Sequence, residues 1–137
     1  MTDKSENLKK WIVDNMTSDN LNELDVHKER VSRIMTFTRD GKTVVKIDRK
    51  NLNLKSEVLI QLIGRAYANA AGISTSDDMS NEEISSHIRG TEGAHRKALT
   101  ELRKTGLIEQ TGRGRHRVVY GKIGYALELV DKGTSSE

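Results

Sequence analysis

The stretch LKSEVLIQLIGRAYANAAG, residues 54–72, limits the possible folds most. Its apolar side chains Leu59, Leu62, Ile63, Ala66, Tyr67 and Ala70 recur at the spacing that lines one side of an α-helix, and Gly72 follows as a C-terminal stop. Such a helix must bury that side against other elements. A chain of 137 residues with 34% hydrophobic content is sized for one compact core, and one Trp, one Phe and three Tyr make that core mostly aliphatic. The small residues Gly64, Ala66, Ala68, Ala70 and Ala71 suit either ordinary core packing or the close approach of a second helix.

Downstream, SNEEISSHIRG places Ser80 and Glu83 at capping-box spacing, with Ile84 and Ile88 one turn apart, and predicts a short helix ended by Gly90. GTEGAHRKALTELRKTGLI predicts a longer helix with Ala98, Leu99 and Leu102 inward and Arg96, Lys97, Thr100 and Arg103 on the other face, stopped at Gly106. LIEQT and RVVYG then flank GRGR, the pattern of a hairpin whose tip carries arginine. In KIGYALELV, Ile123, Ala126, Leu127 and Val130 predict a final helix.

Net charge is only +3, yet between Ile84 and Lys122 nine basic residues stand against three acidic ones. That concentration is expected where one face meets a polyanion, and a solvated surface would show it too.

The order helix, short helix, longer helix, basic hairpin resembles the winged helix-turn-helix family of DNA-binding regulators, particularly the small archaeal and bacterial ones, over roughly Leu54 to Val130. The most specific stretch is ALTELRKTGLIEQTGRGRHRV. The resemblance implies a supporting helix over Ser80 to Arg89, a recognition helix over Glu92 to Lys104 and a wing over Thr111 to Arg117. The chain departs from the family pattern at Ala94, where a hydroxyl residue is common, and at His95, where a hydrophobic residue is usual.

An α-helix fits the DNA major groove and reads base edges mainly from its N-terminal half, which nominates Thr91, Glu92, Arg96 and Lys97, with Thr100 and Arg103 further along. Arg96 can hold guanine through two parallel hydrogen bonds. Glu92 either accepts from a cytosine amino group or favours the helix N-terminus electrostatically. Arg113, Arg115, His116 and Arg117 on the wing would meet phosphates or the adjacent minor groove.

Toward the N-terminus, KSENLKKWIVDNM carries Leu8, Trp11 and Ile12 on one helical face, and RVSRIMTFTRDGKTVVKID reads as two strands joined at a type I′ turn, Asp40-Gly41. Neither unit is large enough to fold alone, so both are expected to pack on the following domain or on a partner subunit.

Other chemistries find little support. There is no cysteine, which excludes disulfides and thiolate chemistry. The histidines His27, His87, His95 and His116 lack metal-ligand spacing, and no nucleophile stands beside a base at interpretable spacing. DGKT lacks the earlier glycine of a phosphate-binding loop, Thr36 standing in its place. Asp77-Asp78 and Glu82-Glu83 are accounted for by a loop and a first helical turn. The N-terminus has no signal-peptide pattern and no stretch is apolar enough to cross a bilayer, so a cytoplasmic, nucleoid-associated location is expected.

The expectation is a mainly α protein with small β content (α+β), a winged helix-turn-helix with an N-terminal helix and β-hairpin extension. Residues 1–50 form the extension, 51–131 the DNA-binding domain and 132–137 a disordered tail. It would bind double-stranded DNA as a homodimeric transcription regulator or nucleoid protein, with no enzymatic activity, cofactor, metal, membrane or small-molecule ligand. An RNA-binding or ribosome-associated winged helix, or a protein-interaction winged helix in a larger complex, would share the same features.

Overall fold

A computed structural model describes residues 4–16, 20–48, 50 and 52–135. The chain is a mixed α+β protein, mostly helical, with two small antiparallel sheets. Its centre is α3 (Leu54–Ala70), started by the Asn53 side chain, which accepts from the Ser56 N–H at 2.8 Å, and followed by Gly72 at φ +77°. Of its predicted apolar side, Leu59, Leu62, Ile63 and Ala66 are buried, Tyr67 is half-buried and Ala70, in the last turn, is exposed; Val58 and Ile60 are buried too, because other elements pack around most of the helix.

Three further helices carry the remaining predicted patterns. α4 (Asn81–His87) begins with the expected capping box: Ser80 Oγ accepts from the Glu83 N–H, and the Glu83 carboxylate accepts from the Ser80 N–H, each at 3.1 Å. α5 (Glu92–Lys104) buries Ala98, Leu99 and Leu102, as its periodicity requires. α6 (Ile123–Ser135) buries Ile123, Ala126, Leu127 and Val130 completely. The tail expected from residue 132 is therefore helical as far as Ser135, and 136–137 lie outside the described residues.

The larger sheet has β3 (Met79–Ser80), β4 (Ile108–Gly112) and β5 (Arg115–Val118) in the order β3-β5-β4, all antiparallel. Gln110 pairs with His116 and Gly112 with Arg115, which leaves Thr111 as the extra residue of a β-bulge. Gly114 supplies the positive φ of the hairpin tip.

The N-terminal region differs most from its reading. α1 (Lys4–Met16) forms where expected, with Leu8, Trp11 and Ile12 facing solvent. A helix not anticipated, α2 (Asn20–Ile34), follows and takes in RVSRI, the supposed start of a strand. Only β1 (Met35–Phe37) and β2 (Thr43–Val45) are extended. Their turn is not type I′, which needs positive φ at both central residues: among the described residues only glycines have positive φ, so Gly41 alone does. The Gly41 N–H donates to Thr38 O and the Thr38 N–H to Lys42 O, each at 2.9 Å, the pattern of a three-residue loop closed by a glycine bulge.

α2 and the small sheet share the core of α3 and α6. Leu24, Val31, Ile34 and Met35 are buried there, Tyr67 Oη donates to Leu24 O at 2.5 Å, and Arg30 pairs with Asp131 of α6 at 2.5 Å. Partial burial pushes the Tyr67 hydroxyl up to about 12, with the Asp25 charge assisting. The glycine of α3 that admits a close neighbour is Gly64, and the neighbour is a strand: a Cβ there would lie 2.1 Å from Thr43 Oγ1. Among the described residues no helix is long and apolar enough to cross a membrane.

Candidate nucleic-acid interface

α5 packs against β4 of the β4–β5 hairpin. α4 and α5 are fixed in place by two groups. His95, expected only as a helix residue, is buried; its Nε2 lies 2.8 Å from Arg89 O and its Nδ1 2.8 Å from Ser85 Oγ. A carbonyl only accepts, so Nε2 carries the proton. Arg89, in the turn, donates to the Leu52 carbonyl and pairs at 3.0 Å with Glu57, a carboxylate only 1% exposed at the start of α3. Together these contacts set the angle between the two helices and their seat on α3.

Along α5 the sequence-predicted residues fall into distinct roles. Thr91 is the N-cap, its hydroxyl oxygen accepting from the Ala94 N–H at 3.2 Å. Glu92 and Arg96 are both well exposed and 3.4 Å apart. Glu92 also lines, with Glu82, a cleft of about 450 Å³ between α4 and α5. Carboxylates thus rim the N-terminal end of α5, and unpaired positive charge lies further along. Lys97, Arg103 and Lys104 meet no carboxylate within 4.0 Å among the described residues, since the nearby Glu101 pairs with Lys55 at 2.9 Å. Arg96, Thr100 and Arg103 share one side, linked by Thr100 Oγ1, which donates to Arg96 O at 2.9 Å and accepts from Arg103 at 3.4 Å.

The β4–β5 hairpin departs from the expected row of available cations. Arg115 is 2.7 Å from Asp78 and 3.9 Å from Glu83, and Arg117 is 2.7 Å from Glu109 and 3.5 Å from Asp77. Thr111 Oγ1 and Tyr120 Oη donate to Asp78 and Asp77, each at 2.7 Å. Arg65 of α3 joins the network through Glu83 at 2.8 Å and Asp78 O at 3.0 Å. The Arg115 hydrogen bond, helped by Thr111 and Ser76 against the cost of burial, holds the Asp78 carboxyl well below the usual carboxylate range. Burial opposes ionisation of Glu83, but Arg65, the Ser80 N–H and Arg115 outweigh it and lower its pKa. Arg113 at the tip has no ion pair among the described residues.

His116, expected on the wing as a DNA contact, is 2% exposed and cannot serve as one. Strand alternation turns it inward beside Val118 while Arg115 and Arg117 face the other way. Its Nε2 lies 2.7 Å from Arg103 Nη1. Burial, then the Arg103 charge, lowers its pKa.

No family model, curated protein or solved structure matches the chain. Among the described residues no group of three or more His, Asp or Glu side chains is arranged to hold a metal ion.

Proposed function

We propose that this chain binds double-stranded DNA as a winged helix-turn-helix regulator or nucleoid protein, without catalysis, through the middle and C-terminal half of α5 and the tip of the hairpin. The observation that carries the reading is the positive charge of Lys97, Arg103, Lys104 and Arg113, none of which meets a carboxylate within 4.0 Å among the described residues, together with an exposed Arg96 held 3.4 Å from Glu92 on the same helix. The order α3, β3, α4, α5, β4, β5 and the strand order β3-β5-β4 support it, since they set a helix with one exposed basic face beside a hairpin. A helix of that kind enters the major groove while flanking cations meet phosphates.

In this reading Arg96 reads a base, and Lys97, Arg103, Lys104 and Arg113 meet phosphates. Arg115 and Arg117 hold the wing in shape. A homodimer doubles the site, and α1 is the element that pairs, because α6 already buries its apolar face whereas α1 leaves Leu8, Trp11 and Ile12 outside.

The test is titration of wild-type and Arg96→Ala protein against a selected duplex, a random duplex and structured RNA at several salt concentrations. Arg96→Ala is expected to cost roughly 1–3 kcal/mol on the selected duplex and less on the random one. Absence of duplex affinity at low salt, or a preference for the RNA, would overturn the proposal.

A further inference from the structure

The polar contact between α5 and the wing joins Arg103 to His116. Arginine has donors only, so His116 Nε2 must accept, and the neutral ring then carries its proton on Nδ1. That Nδ1 is buried without a hydrogen-bond partner among the described residues. A strand residue that keeps a buried N–H unmatched while its other nitrogen grips a surface arginine is an expensive arrangement for packing alone. A hydrophobic side chain beside Val118 would fill the space without that cost.

The choice of acceptor has an electrostatic consequence. Arg115 and Arg117 are held by carboxylates, which cancel their charge. Arg103 is held by a neutral ring and a hydroxyl, so its guanidinium is oriented and keeps its full charge. Its Nη1 and Nη2 each have one fixed partner, and the remaining N–H groups are available to an acceptor outside the protein.

Resting on the DNA-binding reading above, we propose that His116 is a positioning residue: its buried imidazole fixes the Arg103 guanidinium at the junction of recognition helix and wing, where it binds a phosphate of the duplex. His116 touches no nucleic acid and acts through Arg103. Thr100 completes the support from the helix side. Because a phosphate is the target, the effect is independent of sequence.

The experiment compares duplex affinity at several salt concentrations for wild type, His116→Leu, His116→Gln, Arg103→Ala and the His116→Leu, Arg103→Ala double variant. His116→Leu and Arg103→Ala should each weaken binding to specific and random duplexes alike by several-fold. Each should also flatten the dependence of log affinity on log salt by about 0.9, one phosphate contact. His116→Gln, whose amide oxygen can take the place of Nε2, should recover the slope, and the double variant should be no worse than Arg103→Ala. A wild-type slope in His116→Leu, or losses that add in the double variant, would overturn the inference.

Should His116→Leu fail to fold, nitrogen NMR of the wild-type ring decides: the Nδ1–H tautomer with a slowly rotating Arg103 guanidinium supports the inference, and the Nε2–H tautomer refutes it. A wild-type protein with no duplex affinity would instead refute the DNA-binding reading itself, whatever the tautomer.

Discussion

Arg115 of β5 lies 2.7 Å from Asp78, the residue just before β3, so an arginine expected to face a partner is neutralised within the molecule. The same holds for Arg117 with Glu109 and Asp77. Of the three arginines of the β4–β5 hairpin, Arg113 alone keeps an uncompensated charge among the described residues.

Arg113 and Arg115 should therefore respond differently to truncation. Arg113→Ala should flatten the salt dependence of duplex binding by about 0.9 in log–log slope. Arg115→Ala should leave the slope near wild type and lower folding stability slightly, as expected of a pair whose arginine is largely exposed. Replacing Arg113, Arg115 and Arg117 together should change the slope no more than Arg113→Ala does, which parallel titrations would check.

Stability should fall with acid in two separate windows. His116 has a folded pKa below its ordinary value of 6.5, so the unfolded chain takes up its proton first, and stability present above 6.5 declines as pH falls below it. Asp78 has a folded pKa below its ordinary 3.8, so its contribution is present above 3.8 and is lost as pH falls below that value. Urea unfolding as a function of pH should show both declines. His116→Gln should remove the first and Asp78→Asn should reduce the second, part of which belongs to the lowered carboxyl of Glu83; a midpoint that does not change as pH falls below 6.5 in the wild type would contradict the assignment of His116.

Gly64→Ala tests how the small sheet is held. The new Cβ would lie 2.1 Å from Thr43 Oγ1 and 2.8 Å from its Cγ2, so β2 must move off α3, at about 1–3 kcal/mol. Adding Thr43→Ala removes both of those atoms and should recover part of the loss. Thermal unfolding of the two variants gives the comparison.

Pairing through α1 predicts that Leu8→Asp with Trp11→Asp converts a dimer to a monomer without unfolding it, because both side chains face solvent in the single chain, Trp11 at 57% exposure. Sedimentation with circular dichroism measures both quantities. A wild-type monomer at tens of micromolar, free and on DNA, would remove the need for such a pairing.

Much of this architecture is legible in local patterns, because helices α3, α5 and α6 each bury the side their periodicity marks, and the Ser80–Glu83 capping box is a contact between near neighbours. α2 is not legible in the sequence because its stripe runs Leu24, His27, Val31, Ile34: a half-buried histidine breaks the apolar spacing, and β-branched Val31 and Ile34 favour a strand reading. His116 was within reach, since alternation in RHRV puts it on the same side as Val118, but a histidine among arginines reads as polar surface. The ion pairs of Asp77 and Asp78 were not legible at all. They join residues about forty positions apart, and only the strand order brings them together.

The bulge at Thr111, stitched to Asp78 and flanked by Arg115, bears on the entropy of encounter. A glycine-rich hairpin would ordinarily lose its freedom when it docks, and ordering each rotamer-rich side chain costs about 0.5–1.5 kcal/mol. Here much of that ordering has already taken place during folding, because the chain at both ends of β3 holds the hairpin: Asp78 before it accepts from Thr111 and Arg115, and the Asn81 N–H after it donates to Gly114 O at 2.8 Å. In the proposed binding role the hairpin would be a preformed edge, and the acids that cancel the charge of Arg115 and Arg117 are the same groups that make it stiff.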